Sequence, residues 1–379
     1  MLQKKIAIID LNVTINSPAG SCVRSEILGL LENEGVAIDL YTSKCDISHP
    51  RLTVYFFNVF EKVLLLKYLS FFIQTLFKVK KGYDLIQSTQ GQYPYSDITY
   101  AHFCHKAYLA TQWQTSSATG FRKLLRYLNH RFQTFFESLS FNNSSLIVVP
   151  SEGLKREIAF YYPNTREKII IISNPVDFNH FQVPITFDKN QARHELGFLN
   201  DDFVIVFSAL GDFSRKGLDI LFESLVLSKN IFIKILVVGG AESEIAAYKF
   251  KAQNLNIENH VSFTGFKSDI RPYLWCGDIF SLPSSYETFS LVILQAAMSG
   301  LPVLVTKLYG VEEYIINGIN GWVVDRDSFK ISELLVEIMK DSKQVRLTGM
   351  EFTKSLKIYD TPFFQDHWKK IISNFNKYS

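Results

Sequence analysis

FVIVFSALGDFSRKGLDILFESL, residues 203–225, reads as a buried strand, a tight turn and a helix within one short stretch. Phe203 to Leu210 is an almost unbroken apolar run of strand length, the pattern of a strand covered on both faces. Gly211 and Gly217 bracket the turn, and Leu218 to Leu225 carries apolar residues at helical spacing. A strand followed directly by a helix is half of a βαβ unit, so the expected sheet is parallel.

The same alternation extends in both directions. Downstream, strands are expected at 232–240, 260–266, 278–284, 302–307 and 321–325. Upstream, KIAIID (5–10), AIDLYT (37–42), DLIQS (84–88), DITYAHF (97–103), LIVVPS (146–151) and KIIIIS (168–173) form a second series. Helices are expected between them, including Arg24 to Glu34 and Ser151 to Tyr161, where Ser151 suits an N-cap with Glu152 in the first turn. SNPVDFNHF (173–181) breaks the alternation and reads as a join. The fold expected is therefore α/β, with two doubly wound Rossmann-like domains facing a cleft. The first would cover 1–173 and the second 174–360. The aromatic-rich C-terminal helix, 361–379, would either cross back to the first domain or pack on the second.

Bulk properties agree with two such domains and exclude other classes. A chain of 379 residues is long for one domain, and 47% apolar residues suffice for two cores. A formal charge of +3 gives no basic face for nucleic acid. Cys22, Cys45, Cys104 and Cys276 are too scattered for a zinc site or disulfide framework, which suits a reducing, cytoplasmic setting. The N-terminus reads as a strand rather than a signal peptide, and no apolar run reaches the length of a membrane span. Residues 52–81, LTVYFFNVFEKVLLLKYLSFFIQTLFKVKK, leave two readings open. One is an interfacial surface giving peripheral contact with the inner membrane face. The other is a core helix with a basic last turn.

Three pieces of the second half suit one task, holding a diphosphate. Arg215 and Lys216 lie in the turn before Gly217, where arginine can fork onto phosphate oxygens and lysine adds a point charge. In PSSYETFSLVILQAAMSGLPVLVT (283–306), a helix is expected to start between Thr288 and Leu291. The amides of Thr288, Phe289 and Ser290 would then face an anion. Glu287 beside them is a poor phosphate ligand and a good acceptor for sugar hydroxyls. Gln295, about two turns on, would reach toward ribose hydroxyls. Gly265 closes a strand and begins a loop that would wall the base. Asp325-Arg326-Asp327 has the look of a metal-binding acid pair, but reads as a surface turn far from these pieces.

In this order the pieces resemble the retaining family 4 glycosyltransferases of the GT-B fold. The resemblance is carried by Arg215-Lys216-Gly217, by Pro283 to Gly300, and by GVEEYIINGINGWVV (310–324). The GDFSRKG run is most similar to that of lipopolysaccharide core glycosyltransferases, in which the Arg-Lys pair neutralises the donor diphosphate. The resemblance implies that Glu287 contacts the transferred sugar and that the amides near Ser290, with Leu291 opening the helix, hold phosphate. The family pattern has a second glutamate where this chain has Gln295, and a glycine where it has Ser290. In the first half, Gly20 corresponds to the family's glycine loop between the first strand and a helix. His102 falls where similar enzymes place a catalytic-site His or Asp, with His105 its rival. Cys104 between them invites a metal reading that lacks a fourth ligand.

The function expected is metal-independent transfer of a sugar, with retention, from a nucleotide diphosphate donor (UDP-sugar favoured) to a glycan or glycolipid acceptor. No cofactor beyond the donor substrate is implied. The alternatives are a catalytically weak nucleotide-binding subunit supporting a partner enzyme, and an epimerase or phosphorylase of the same fold.

Overall fold

The computed structural model describes residues 3–115 and 120–375. Its contacts divide the chain into two compact units. One holds the residues up to Pro175 together with the C-terminal segment from Tyr359, and the other runs Val176–Ile358.

The first unit is built on β1 (Lys4–Ile9), β2 (Val36–Thr42), β3 (Leu52–Phe56), β4 (Leu85–Thr89), β5 (Ile98–Tyr100), β6 (Leu146–Val149) and β7 (Ile169–Ile171). They form one parallel sheet in the order β3-β2-β1-β4-β5-β6-β7. Around it lie α1 (Pro18–Leu31), α2 (Leu64–Lys78), α3 (His105–Thr111), α4 (Gly120–Asn143) and α5 (Glu152–Tyr161). Ser151 caps α5 by accepting the Leu154 N–H at 3.2 Å, the cap its sequence suggests. The C-terminal helix, Thr361–Ser373, packs on α1 in this same unit: Gln365 donates to the Ser25 carbonyl at 3.0 Å, and Trp368 is buried with its ring 5.1 Å from that of Tyr100.

The second unit carries β8 (Phe203–Ala209), β9 (Ile233–Gly239), β10 (Val261–Gly265), β11 (Ile279–Leu282), β12 (Val303–Val305) and β13 (Trp322–Val323). They too are all parallel, in the order β10-β9-β8-β11-β12-β13. Every residue of β8 is buried, as its continuous apolar run requires. After β8 come a single helical turn, α6 (Phe213–Lys216), and α7 (Leu218–Ser228). Further on are α8 (Leu291–Met298) and α9 (Ser328–Ile338).

Both sheets therefore wind outward from their first strand, then reverse. The reversal leaves a crevice at the carboxyl ends of the two central strands, where ligands of open α/β sheets bind. In the first unit those strands are β1 and β4; in the second they are β8 and β11.

Several local expectations change. Residues 52–81 are not one element: Leu52–Phe56 is the edge strand β3, paired with β2, and the helix occupies only Leu64–Lys78. Helix α1 begins at Pro18, because Pro18 suits the first helical position and Ser17 accepts the Gly20 N–H at 3.2 Å. Gly20 thus sits in the first turn of α1 rather than in a loop before it. A side chain there would meet the Asn12 carbonyl oxygen at 1.7 Å, so the glycine admits the chain's own backbone. Strand β5 ends at Tyr100, which leaves His102 in the connection to α3. Helix α4, at 24 residues the longest among the described residues, lies between β5 and β6, where the alternation calls for a helix but the sequence reading gives it no bounds.

Candidate active site

In the second unit the loops after β8 and β11 meet at the sheet's reversal point. The 211–217 segment does not remain an open loop: Asp212 takes a left-handed conformation (φ 59°), α6 makes one turn, and Gly217 (φ 91°) ends it. Gly217 is required twice over. Its φ is the left-handed one, and a Cβ would meet the Pro283 carbonyl oxygen at 2.2 Å. That approach sets the Arg215–Lys216 turn directly against the segment that follows β11.

The two segments are then tied by polar contacts. Ser285 N–H donates to the Arg215 carbonyl at 2.9 Å, and the Arg215 Nη1 donates to the Tyr286 carbonyl at 2.7 Å. Arg215 Nε also donates to Asp212 Oδ2 at 2.9 Å. Lys216 Nζ lies 2.5 Å from Glu287 Oε1, Ser284 Oγ donates to the same oxygen at 3.0 Å, and Arg215 Nη1 is 3.6 Å from it. Burial by itself would raise the Glu287 carboxyl. The charges of Lys216 and Arg215, with hydrogen bonds from Lys216 and Ser284, outweigh it and hold the group below the usual carboxylate range. Lys216 and Glu287, 71 positions apart in sequence, therefore form one charged cluster with Arg215 and its partner Asp212.

Helix α8 starts immediately beyond. Ser290 is its N-cap residue and makes no side-chain capping bond, and Leu291 is the first helical residue. Phe289 and Ser290 are buried, whereas Glu287 and Thr288 are half-buried. Gly310 (φ 83°) would carry a Cβ 2.8 Å from the Phe289 ring, so the Gly310 segment packs closely behind this helix start. Gln295 lies in the second turn of α8 and is half-buried. Gly265 (φ 71°) closes β10, two strands away from the reversal point on the edge of the sheet.

Arg326 is brought into the cluster's neighbourhood, against the expectation that 325–327 lies far from it. Its guanidinium donates to the Pro283 and Ser214 carbonyls, each at 3.0 Å, and so clamps the two loops together. Its neighbours have ordinary duties: Asp325 pairs with Lys330, and Asp327 caps α9 through the Lys330 N–H. Sequence reasoning missed Arg326, Ser284 and Asp212. Each is a common loop residue whose only signal is its partner's position.

In the first unit, His102 lies just past β5, with its ring against that of Tyr100 at 4.1 Å. Its backbone N–H donates to Gln90 Oε1 at 2.6 Å, and the Phe103 N–H donates to the same oxygen at 3.2 Å. Burial lowers the imidazole to about 3, so it is neutral through the physiological range. His105 faces elsewhere: its Nδ1 lies 3.0 Å from His130 Nδ1 of α4. Cys104 is buried, and its thiol is pushed up by that burial. Among the described residues no group of three His, Cys, Asp or Glu is placed to hold a metal ion. Glu137 of α4, unforeseen in the sequence, accepts the His105 and Lys106 N–H groups at 2.8 and 3.3 Å and the Tyr162 hydroxyl at 2.8 Å. It caps α3 from the side and steadies the connection that carries His102. Asp10, the first residue past β1, is buried at this unit's own reversal point, where burial raises its carboxyl.

The two halves of the chain match two family models. Residues 25–180 match Glycosyltransferase Family 4, and residues 188–349 match Glycosyl transferases group 1. The capsular polysaccharide biosynthesis glycosyltransferase CapM of Staphylococcus aureus is 26% identical over 290 residues, covering 72% of this chain and 70% of that protein. Several other curated relatives are spanned over only 40% to 57% of their lengths. Among solved structures, WaaG, a glycosyltransferase involved in lipopolysaccharide biosynthesis, superposes with a TM-score of 0.78 at 17% identity, covering 97% of this chain and all of that one. Anabaena HepE in complex with UDP gives 0.74 at 18% identity, covering 97% of this chain and 99% of that one. These likenesses establish the fold: two Rossmann-like domains in the GT-B class.

Proposed function

We propose that this chain is a glycosyltransferase of the GT-B type whose donor is a nucleotide diphosphate sugar, a UDP-sugar by preference, held in the second unit. The observation that carries the reading is the Lys216–Glu287–Arg215 cluster at the reversal point of that sheet, beside the amino end of α8. The donor diphosphate would sit against the α8 amides with Lys216 and Arg215 as its cations, and Glu287 would accept from hydroxyls of the sugar. The UDP held by HepE supports the choice of base. The name of CapM supports a glycan or glycolipid acceptor in cell-surface polysaccharide synthesis.

Transfer breaks the bond between the sugar's anomeric carbon and the diphosphate oxygen, and the bonding pair leaves with the diphosphate. Lys216, Arg215 and the helix amides stabilise the charge as it grows, which lets the step proceed without a metal. The acceptor hydroxyl attacks that carbon from the leaving-group face, so configuration is retained, and its proton passes to a diphosphate oxygen. Neutral His102 would contribute a hydrogen bond to a sugar hydroxyl rather than a charge.

Gln295 and Ser290 favour a second reading, a catalytically weak subunit that binds nucleotide for a partner. Both depart from the glutamate and glycine of the family pattern, and Ser290 is itself buried at the helix start.

Thermal stabilisation by UDP, GDP and ADP separates these readings, because a ligand bound only by the folded state raises the melting temperature. One nucleotide should stabilise the native protein, and Arg215→Ala/Lys216→Ala should abolish the response. No response to any of the three removes the donor site. Stabilisation without turnover of a UDP-sugar favours the subunit.

A further inference from the structure

Among the described residues, four that are not glycine take a left-handed backbone: Gln90, Asp212, Lys229 and Asn256. Lys229 and Asn256 each follow a helix, α7 and Glu242–Asn254, where a left-handed residue commonly ends the helix. Asp212 opens the charged turn after β8. Gln90 (φ 53°) has no helix to end. It is the first residue past β4, at the reversal point of the first sheet. Glutamine lacks the short side chain with which Asn and Asp favour this conformation locally, so the surrounding structure must impose it.

Contacts on two sides impose it. The Gln90 N–H donates to the Tyr100 carbonyl of β5 at 3.1 Å, and the Gln90 carbonyl accepts the Ser140 hydroxyl of α4 at 3.1 Å. Gly91 then lies so close to α4 that a Cβ would meet the Glu137 nitrogen at 2.6 Å. With the backbone pinned, the buried side chain turns to the connection after β5. Its Oε1 accepts both the His102 and the Phe103 N–H. Its Nε2 donates to the Phe103 carbonyl at 3.0 Å and to Glu137 Oε2 at 3.4 Å. A primary amide has two hydrogens to give and two lone pairs to share, and all four are engaged. Three of the four hold the His102–Phe103 backbone.

Gln92, two residues on and also buried, serves the other neighbour of β4. Its Oε1 accepts the Leu11 N–H past β1 at 2.8 Å. The turn after β4 thus holds the connections that leave β1 and β5, the strands on either side of it, with one glutamine each. Glycine would take the backbone of residue 90 without strain. What glycine lacks is the amide that fixes the His102 connection, and strain of this kind gathers where a precise geometry is needed.

We propose that Gln90 is a positioning residue, which holds His102 just past the carboxyl end of β5 for its contact with the transferred sugar. Gln90 acts through His102 and does not itself touch the substrate. The proposal rests on that sugar contact and is independent of how the second unit holds the donor diphosphate.

Variants of the full chain test it. Gln90→Gly removes the amide and relieves the backbone. Gln90→Asn tolerates the same backbone and falls one methylene short, so it decides the matter if the glycine variant unfolds. Gln92→Asn shortens the other glutamine and serves as the control. By NMR the native His102 ring should stay neutral between pH 5 and 8, since burial holds it so. Both Gln90 variants should free the connection, let water reach the ring and bring its titration into that range, whereas Gln92→Asn should leave it flat. With UDP-glucose as the probe, Gln90→Gly should lower kcat about tenfold, the scale of one misaligned hydrogen bond, at an unchanged KM. In a His102→Ala background the same change should cost nothing further. A ring that behaves as native in both Gln90 variants overturns the proposal, as does a kcat loss of that size that persists in His102→Ala. Full turnover by His102→Ala alone removes the sugar contact, and the proposal falls with it. Failure of UDP to stabilise the native protein removes the donor site instead, and the ring still decides the part played by Gln90.

Discussion

Replacing Lys216 by methionine keeps the length of the side chain and removes its charge from a carboxylate 2.5 Å away. The Lys216 and Glu287 side chains are only 18% and 11% exposed, so the pair belongs nearer the buried limit than the surface one. An exposed pair contributes about 0–1 kcal/mol, whereas stranding one partner of a buried pair costs about 3–5 kcal/mol. Arg215 at 3.6 Å and the Ser284 hydroxyl at 3.0 Å remain to face Glu287, which places Lys216→Met at about 2–3 kcal/mol. Glu287→Gln is costly alone because it leaves Arg215 and Lys216 facing each other. The double variant should therefore recover about 2 kcal/mol of the summed single costs. The sign of the pH dependence follows from the carboxyl. In the native protein its folded pKa is depressed, so it stabilises above the unfolded value and the contribution is lost only as pH falls through the lower, folded one. Without Lys216, the burial that raises the carboxyl is less opposed, and protonation at lower pH relieves the stranded charge. The cost of Lys216→Met should thus be larger at pH 8 than at pH 5. Opening free energies from hydrogen exchange of the buried β8 amides, measured for the four proteins of the cycle at both pH values, give each quantity. A coupling below about 0.5 kcal/mol at pH 8, or a cost that does not shrink at pH 5, refutes the reasoning.

Other outcomes follow from the same geometry. Gly217→Ala must place a Cβ on the Pro283 carbonyl at a left-handed backbone, so it should cost more than about 1 kcal/mol and lose nucleotide stabilisation, read by thermal shift. Burial raises Glu137 to about 7 against the hydrogen bonds of His105, Tyr162 and Lys106. Its stabilising contribution is then complete below the unfolded value near 4.5 and lost as pH rises through 7, at most about 3 kcal/mol. Glu137→Gln should gain stability relative to the native protein between pH 5 and 8, as urea denaturation at the two pH values will read. With His102 lowered to about 3, the pH–rate profile should show no histidine limb between pH 5 and 8, and such a limb that vanishes in His102→Asn contradicts the neutral assignment. Gln295→Glu, restoring the charge of the family pattern, should tighten UDP binding by about tenfold in calorimetry, the increment of one charge-assisted hydrogen bond.

What the amino-acid sequence determines by itself is local. Short apolar runs rich in valine and isoleucine, such as 203–210 and 146–149, read as strands covered on both faces, and helices between them imply a parallel sheet. Ser151 and Asp327 cap the helices they precede through bonds that span three residues. The ordered motifs of the second half likewise sit in the loops where their spacing puts them, after β8 and after β11. Periodicity is silent where an element is short or its polarity inverted. Leu52–Phe56 is hidden inside a longer apolar stretch and becomes a strand only because β2 offers it an edge. Helix α4 defeats a reading that assumes polar outside and apolar inside, since its buried face is held by Glu137 and Ser140 bonding to distant backbone and side chains. The cluster itself belongs to the tertiary structure alone. Lys216 and Glu287 meet because β8 and β11 are neighbours in the sheet, although β9 and β10 lie between them in the chain. Arg326, from beyond β13, then locks their loops through two carbonyls. Strand order is set by which buried faces and backbone hydrogen bonds are satisfied together across the whole domain, and no local pattern records that choice.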